Sequence, residues 1–205
     1  MFILVFSCKK TGLEDPEISI NEIGKYHNIA LKLYYENYGQ SVTDNLNDIY
    51  IRIDDLLKKE YPEKFSGVNF SHNEIESINY YSRPNNIFNY EAFLDDHLDD
   101  LVSRNLISYY FSGHFKTIAL SYDSTLQEIL RQVRQLRNGN ISNNEKLMLD
   151  AFESTLIVSD NYWSTNSYQS KKIKLKCSSK VIPADAAGAA LVLSVVRSGQ
   201  LFRVH

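Results

Sequence analysis

The densest group of side chains capable of chemistry lies in the stretch FLDDHLDDL, where Asp95, Asp96, Asp99 and Asp100 surround His97. Residues four apart adjoin on a helix, so Asp95 with Asp99, and Asp96 with Asp100, form carboxylate pairs of the kind that hold a divalent cation through oxygen. A metal centre draws its ligands from more than one segment, and no second ligand-bearing segment accompanies this one. The four aspartates are therefore expected to form a solvated polar face, and no metal is assigned. Arg131, Arg134 and Arg137 make a basic ridge that could touch phosphate or acidic lipid; the simpler expectation is that they keep one helix face in water. His27, in KYHNIAL, lies nearly in line with Ile20, Ile23 and Ala30 at the edge of a core. There a structural hydrogen bond is its ordinary role, since catalysis would need a nucleophile or carboxylate partner that its surroundings do not supply. No Gly-rich phosphate loop, nucleophile elbow or His-Glu-x-x-His pattern occurs, so no catalytic or cofactor-binding residue and no cofactor is assigned.

A thiol is the remaining candidate. In MFILVFSCKK, Met1 to Phe6 are all apolar, and Ser7, Cys8 and two lysines follow. An apolar run ending in a small residue is how the end of a secretory hydrophobic region and its cleavage site read. Only seven residues precede Cys8 and none is basic, whereas a hydrophobic region alone takes about 7–15 residues. Residues 1–8 are thus expected to be the truncated remainder of a signal and residues 9–17 (KKTGLEDPE) a polar tether; Val5-Phe6-Ser7-Cys8 resembles the signal-peptide end of bacterial lipoproteins, and that resemblance implies Cys8 as the position of lipid attachment. The competing expectation is a cytoplasmic protein whose first residues form a short strand or tag. No stretch reaches the ~18–20 apolar residues of a transmembrane helix, so membrane attachment would come from lipid or surface contact. Cys177 is left as a lone thiol, and two cysteines so far apart offer neither a zinc pattern nor a disulfide framework.

These groups need elements to position them. With 205 residues, 43% of them hydrophobic, the chain can bury a real core, and its net charge of -3 with no strongly basic half gives no footprint of a nucleic-acid binder. Ser19 and Glu22 form a capping box ahead of a helix that Gly39 ends, and a second helix over about 42–61 carries Val42, Leu46, Ile49, Ile53 and Leu56 inward until Pro62 stops it. Ser71 and Glu74 cap a short third helix closed by Pro84. A fourth runs over about 86–110, with Leu94, Leu98 and Leu101 on one side and the aspartates turned away, up to a break at Ser112-Gly113. Asp123 opens a fifth with Leu126, Ile129, Val133 and Leu136 inward, and Ser142 with Glu145 caps a sixth over about 143–163 that Trp163 closes. The expected architecture is an all-α bundle of five to six amphipathic helices over residues 18–164, then a polar linker (165–180) and an Ala-rich apolar tail (181–205) carrying a short C-terminal helix too short to span a bilayer.

In this order the motifs resemble a loose group of uncharacterised small bacterial lipoproteins, some of them labelled bacteriocin-like. The likeness rests on the lipobox-like start, on His27-Asn28, on Ser159, Tyr162 and Trp163 in SDNYW, and on Asp185, Gly188 and Ala189 in ADAAGA. The resemblance implies an exported envelope protein held to a membrane by a lipid on Cys8, and it supplies no known reaction. A protein partner met by the helical domain or the tail is the first expectation. A precursor whose Gly/Ala-rich tail is membrane-active is the second, and a helical enzyme with a site scattered over several helices is the third.

Overall fold

The computed structural model describes residues 20–39, 46–66 and 89–165, together with Pro183, Ala186, Ala187, Ala190 and Leu191. The protein is an all-α bundle, with seven helices and no strand among the described residues. Cys8, Cys177, the tether, Ser19, the capping pair Ser71 and Glu74, Asp185, Gly188 and Ala189 lie outside them, as does the side chain of Trp163.

The first three helices share a small core. Helix α1 (Ile20–Tyr38) ends where expected: Gly39 takes φ 77° and its N–H donates to Tyr35 O at 3.0 Å, the left-handed cap that glycine adopts without strain. Its buried face runs through Tyr26, His27, Ala30, Leu31 and Tyr34, and Leu33 is left half-buried. Helix α2 (Leu46–Glu60) buries Ile49, Ile53, Leu56 and Leu57. Pro62, expected to stop this helix, opens another: in α3 (Pro62–Phe65) it stands in the first turn, where its missing N–H has no intrahelical partner to lose. That turn delivers Phe65 edge-on to Tyr26, ring centroids 5.0 Å apart, within a cluster that also holds Ala30, Tyr34, Ile49, Ile53 and Leu57.

The expected single helix over 86–110 is two. Helix α4 (Tyr90–Ser103) ends because Asn105 adopts φ 55°, with Asn105 N–H donating to Val102 O and Leu106 N–H to Leu101 O, both at 2.9 Å. This paired closure is a Schellman motif, with asparagine in the place usually held by glycine. Ser108 then caps α5 (Tyr109–Ala119), accepting from Phe111 N–H at 3.1 Å. The break expected at Ser112-Gly113 does not occur, since both residues sit inside α5. An exposed glycine costs a helix roughly 1 kcal/mol of propensity, which the burial of Phe111, Phe115 and Ile118 outweighs. Helix α6 (Leu126–Arg137) starts from Thr125 and not from Asp123, because Thr125 and Glu128 complete a capping box. Helix α7 (Asn143–Thr165) follows the expected Ser142–Glu145 box.

Helices α4 to α7 enclose the larger core, in which Phe93, Leu94, Phe111, Phe115, Met148 and Phe152 are among the buried members. Ala186, Ala187, Ala190 and Leu191 belong to the same cluster, at most 1% exposed. With Pro183, also buried and helical, they follow the i, i+3, i+4, i+7 spacing of one helix face. Ala186, Ala187, Ala190 and Leu191 are therefore seated in the bundle's own core.

Candidate functional site

Helix α1 packs chiefly along α7, and their contact includes polar groups. Gly24, His27 and Asn28 share one face of α1, and Thr155 and Ser159 share one face of α7. A Cβ placed on Gly24 would stand 2.9 Å from Thr155 Cα and 3.1 Å from Ser154 O, so the backbones meet with no room for a side chain. One turn further on, Asn28 Nδ2 donates to Val158 O at 2.8 Å. The contacts advance along both helices together, which makes the pair parallel. His27, Thr155 and Ser159 are buried in this seam, and Thr155 Oγ1 and Ser159 Oγ have no hydrogen-bond partner among the described residues. Sequence motifs 130 residues apart, His27-Asn28 and the segment leading into SDNYW, are thus brought to one interface. The hydroxyls are buried, and among the described residues Ser159 Oγ makes no hydrogen bond to a base, the contact that activates a serine nucleophile. The seam's chemistry is that of helix pairing. Gly24 and Thr155 escaped sequence reasoning, since neither stands in a motif; a glycine inside a helix pattern was their one available signal.

The aspartate constellation separates. His97 turns into the core, where its Nδ1–H donates to Phe93 O at 2.7 Å and its ring lies 4.0 Å from that of Phe93. Burial pulls its pKa below the usual histidine value, against the opposing pull of the Phe93 hydrogen bond and of Asp100 and Asp96. Asp95 goes to Lys116 of α5 at 2.5 Å, with Glu91 3.9 Å from the same ammonium, and Asp100 goes to Arg104 at 3.0 Å. The hydrogen bond that the Lys116 ammonium donates to Asp95 holds its pKa above the ordinary lysine value. Among the described residues no three histidine, cysteine or carboxylate side chains converge as a metal would require.

The basic ridge is divided in the same way. Arg131 and Arg134 face solvent, while Arg137 bridges to α7, at 2.7 Å from both Asp150 and Glu153. Replacing Arg137 with methionine should cost about 1 kcal/mol in urea denaturation, an effect that shrinks in 1 M salt, whereas glutamine at 131 or 134 should change stability by less than about 0.5 kcal/mol.

Glu145 is the charge most deeply committed to the fold. Its Oε1 accepts from Ser108 N–H at 2.7 Å and Ser108 O–H at 2.6 Å, and its Oε2 accepts from Ser142 N–H at 2.5 Å. One carboxylate therefore serves the starts of both α5 and α7. Burial pushes its pKa up, and the hydrogen bonds from Ser108 and Ser142 together outweigh this, leaving it below the usual glutamate value.

No family model matches the chain, and no curated protein or solved structure matches it.

Proposed function

We propose that the protein is a bacterial cell-envelope protein anchored by a lipid on Cys8, acting there by binding and not by catalysis. The observation that carries this reading is the apolar run ending in Ser7-Cys8 and followed by two lysines and a polar tether. Among the described residues no helix is long and apolar enough to cross a membrane; an acyl chain on Cys8 is the anchor this reading supplies. The disposition of the reactive side chains favours binding. His97 and Glu145 are buried in hydrogen bonds to the backbone, Arg137 is spent on two carboxylates, and the Thr155 and Ser159 hydroxyls are closed to any substrate.

Growth of an expressing bacterium with an alkyne-bearing fatty acid tests the reading. The unaltered protein should take the label and sediment with membranes, and Cys8→Ser should lose the label and enter the soluble fraction. An unlabelled, soluble wild-type protein would overturn it.

A further inference from the structure

The described helices form two groups, each with its own core and its own polar ties. In α1 to α3, Tyr26, Ile53 and Phe65 are among the members of one buried cluster, and Lys64 of α3 stands 3.8 Å from Glu22 of α1. In α4 to α7, Lys116 holds Asp95, Arg137 holds Asp150 and Glu153, and Glu145 holds Ser108, around a cluster that includes Phe111, Phe115 and Phe152. Among the described residues the two clusters share no member, and α1 against α7 is the one extensive packing of a helix of the first group on a helix of the second. That joint also buries polar atoms without service. Thr155 and Ser159 are 0% exposed, and Thr155 Oγ1, Ser159 Oγ and Asn28 Oδ1 have no hydrogen-bond partner among the described residues. Water would serve all three, so closing the seam gives up their hydration with no hydrogen bond in return.

We propose that the seam between α1 and α7 is a latch: α1 to α3 come off α7 as one unit while α4 to α7 stay folded, and the hydration that Thr155, Ser159 and Asn28 recover favours that opening. The bond from Asn28 Nδ2 to Val158 O, at 2.8 Å, and the close backbone contact at Gly24 hold the latch shut. The unit that leaves is small. Without α7, three short helices have only their shared cluster to hold them, and helices of this length are marginal in water, so their amides exchange once the seam parts. The group left behind keeps its ion pairs and its larger core. This opening is independent of any lipid on Cys8.

Native-state hydrogen exchange on the full-length protein, in urea below the unfolding transition, tests the latch. Amides of 27–34 in α1 and 53–57 in α2 should exchange through one shared opening, populated at least about tenfold more than the opening that exposes 148–152 in α7. Its urea dependence should be shallower, because it uncovers less surface. A single opening of equal population and slope for all three segments would overturn the proposal. Thr155→Val with Ser159→Ala nearly preserves the shape of the seam and removes the two hydroxyls that water would recover. In this double variant exchange of 27–34 should slow at least about tenfold. Unchanged or faster exchange, or a variant that does not fold, would equally overturn it, since each means that the hydroxyls are served in the closed seam.

Discussion

Glu145→Gln should destabilise the protein by about 3 kcal/mol at pH 7, the scale of losing charge-assisted hydrogen bonds at a buried site. The carboxylate offers acceptors on both sides, to Ser108 N–H and O–H through one oxygen and to Ser142 N–H through the other. A glutamine keeps one acceptor and turns an NH2 donor toward a donor. Either orientation therefore leaves a helix start unserved and sets N–H against N–H or O–H. Two helices lose definition together, so the loss should exceed the ~1 kcal/mol of an ordinary cap. The pH dependence separates this from a packing defect. The folded-state pKa of Glu145 lies below the ordinary 4.5, so its contribution is complete above about pH 4.5 and is lost as pH falls through the folded value. The gap between wild type and Glu145→Gln should accordingly close in acid. His97 acts at a higher pH. Buried with a pKa below 6.5, it binds fewer protons folded than unfolded, so stability should begin to fall as pH drops past about 6.5, in wild type and Glu145→Gln alike. Urea titrations at pH 8, 6, 5 and 3.5 would resolve both steps; a gap that stays constant throughout would refute the double-cap account.

The second large effect is expected at Gly24, where leucine should cost about 3 kcal/mol, and even alanine should be unfavourable. Glycine within a helix ordinarily gives up roughly 0.5–1 kcal/mol relative to alanine, so substitution usually gains stability. Here the new Cβ meets backbone, Thr155 Cα at 2.9 Å and Ser154 O at 3.1 Å, and backbone cannot rotate aside as a side chain can. Either α1 moves off α7 and the Asn28–Val158 bond stretches, or the clash stays as strain. Gly113 is the matched control. It too lies within a helix, and a Cβ added there would meet nothing within 4 Å, so Gly113→Ala should stabilise by about 0.5–1 kcal/mol. Opposite signs from two helical glycines, read by denaturant midpoint at constant slope, would establish the close approach of α1 and α7.

What could be read from the chain was the local grammar. Ile49, Ile53, Leu94, Leu98, Ile129, Val133 and Leu136 announced their faces through spacing, and Gly39 and the Ser142–Glu145 box announced ends of helices. Asparagine at 105 did not, because its left-handed turn inside SRNLIS looks like any polar step in a helix, while the glycine at 113, the usual breaker, was tolerated on an exposed face. The partners of charges were also hidden. Asp95 and Lys116, or Arg137 and Glu153, meet only after two helices are packed, and no spacing along the chain encodes that meeting. The polar seam was half visible: His27-Asn28 and Ser159 stood out as motif residues, but their shared interface depends on the glycine opposite Thr155.

The parallel pairing of α1 with α7 also sets an order of events. Val158 leaves the ribosome 130 residues after Asn28, so at roughly 5–20 residues per second the first helix waits about 6 to 26 s for the surface on which it closes. Until then α2 and α3 can cover Tyr26, Ala30 and Tyr34, while the face of Gly24 and Asn28 still lacks the helix it meets. Completion of this fold is a late, long-range step taken after most of the chain exists, and the nascent protein spends its synthesis open at its N-terminal side.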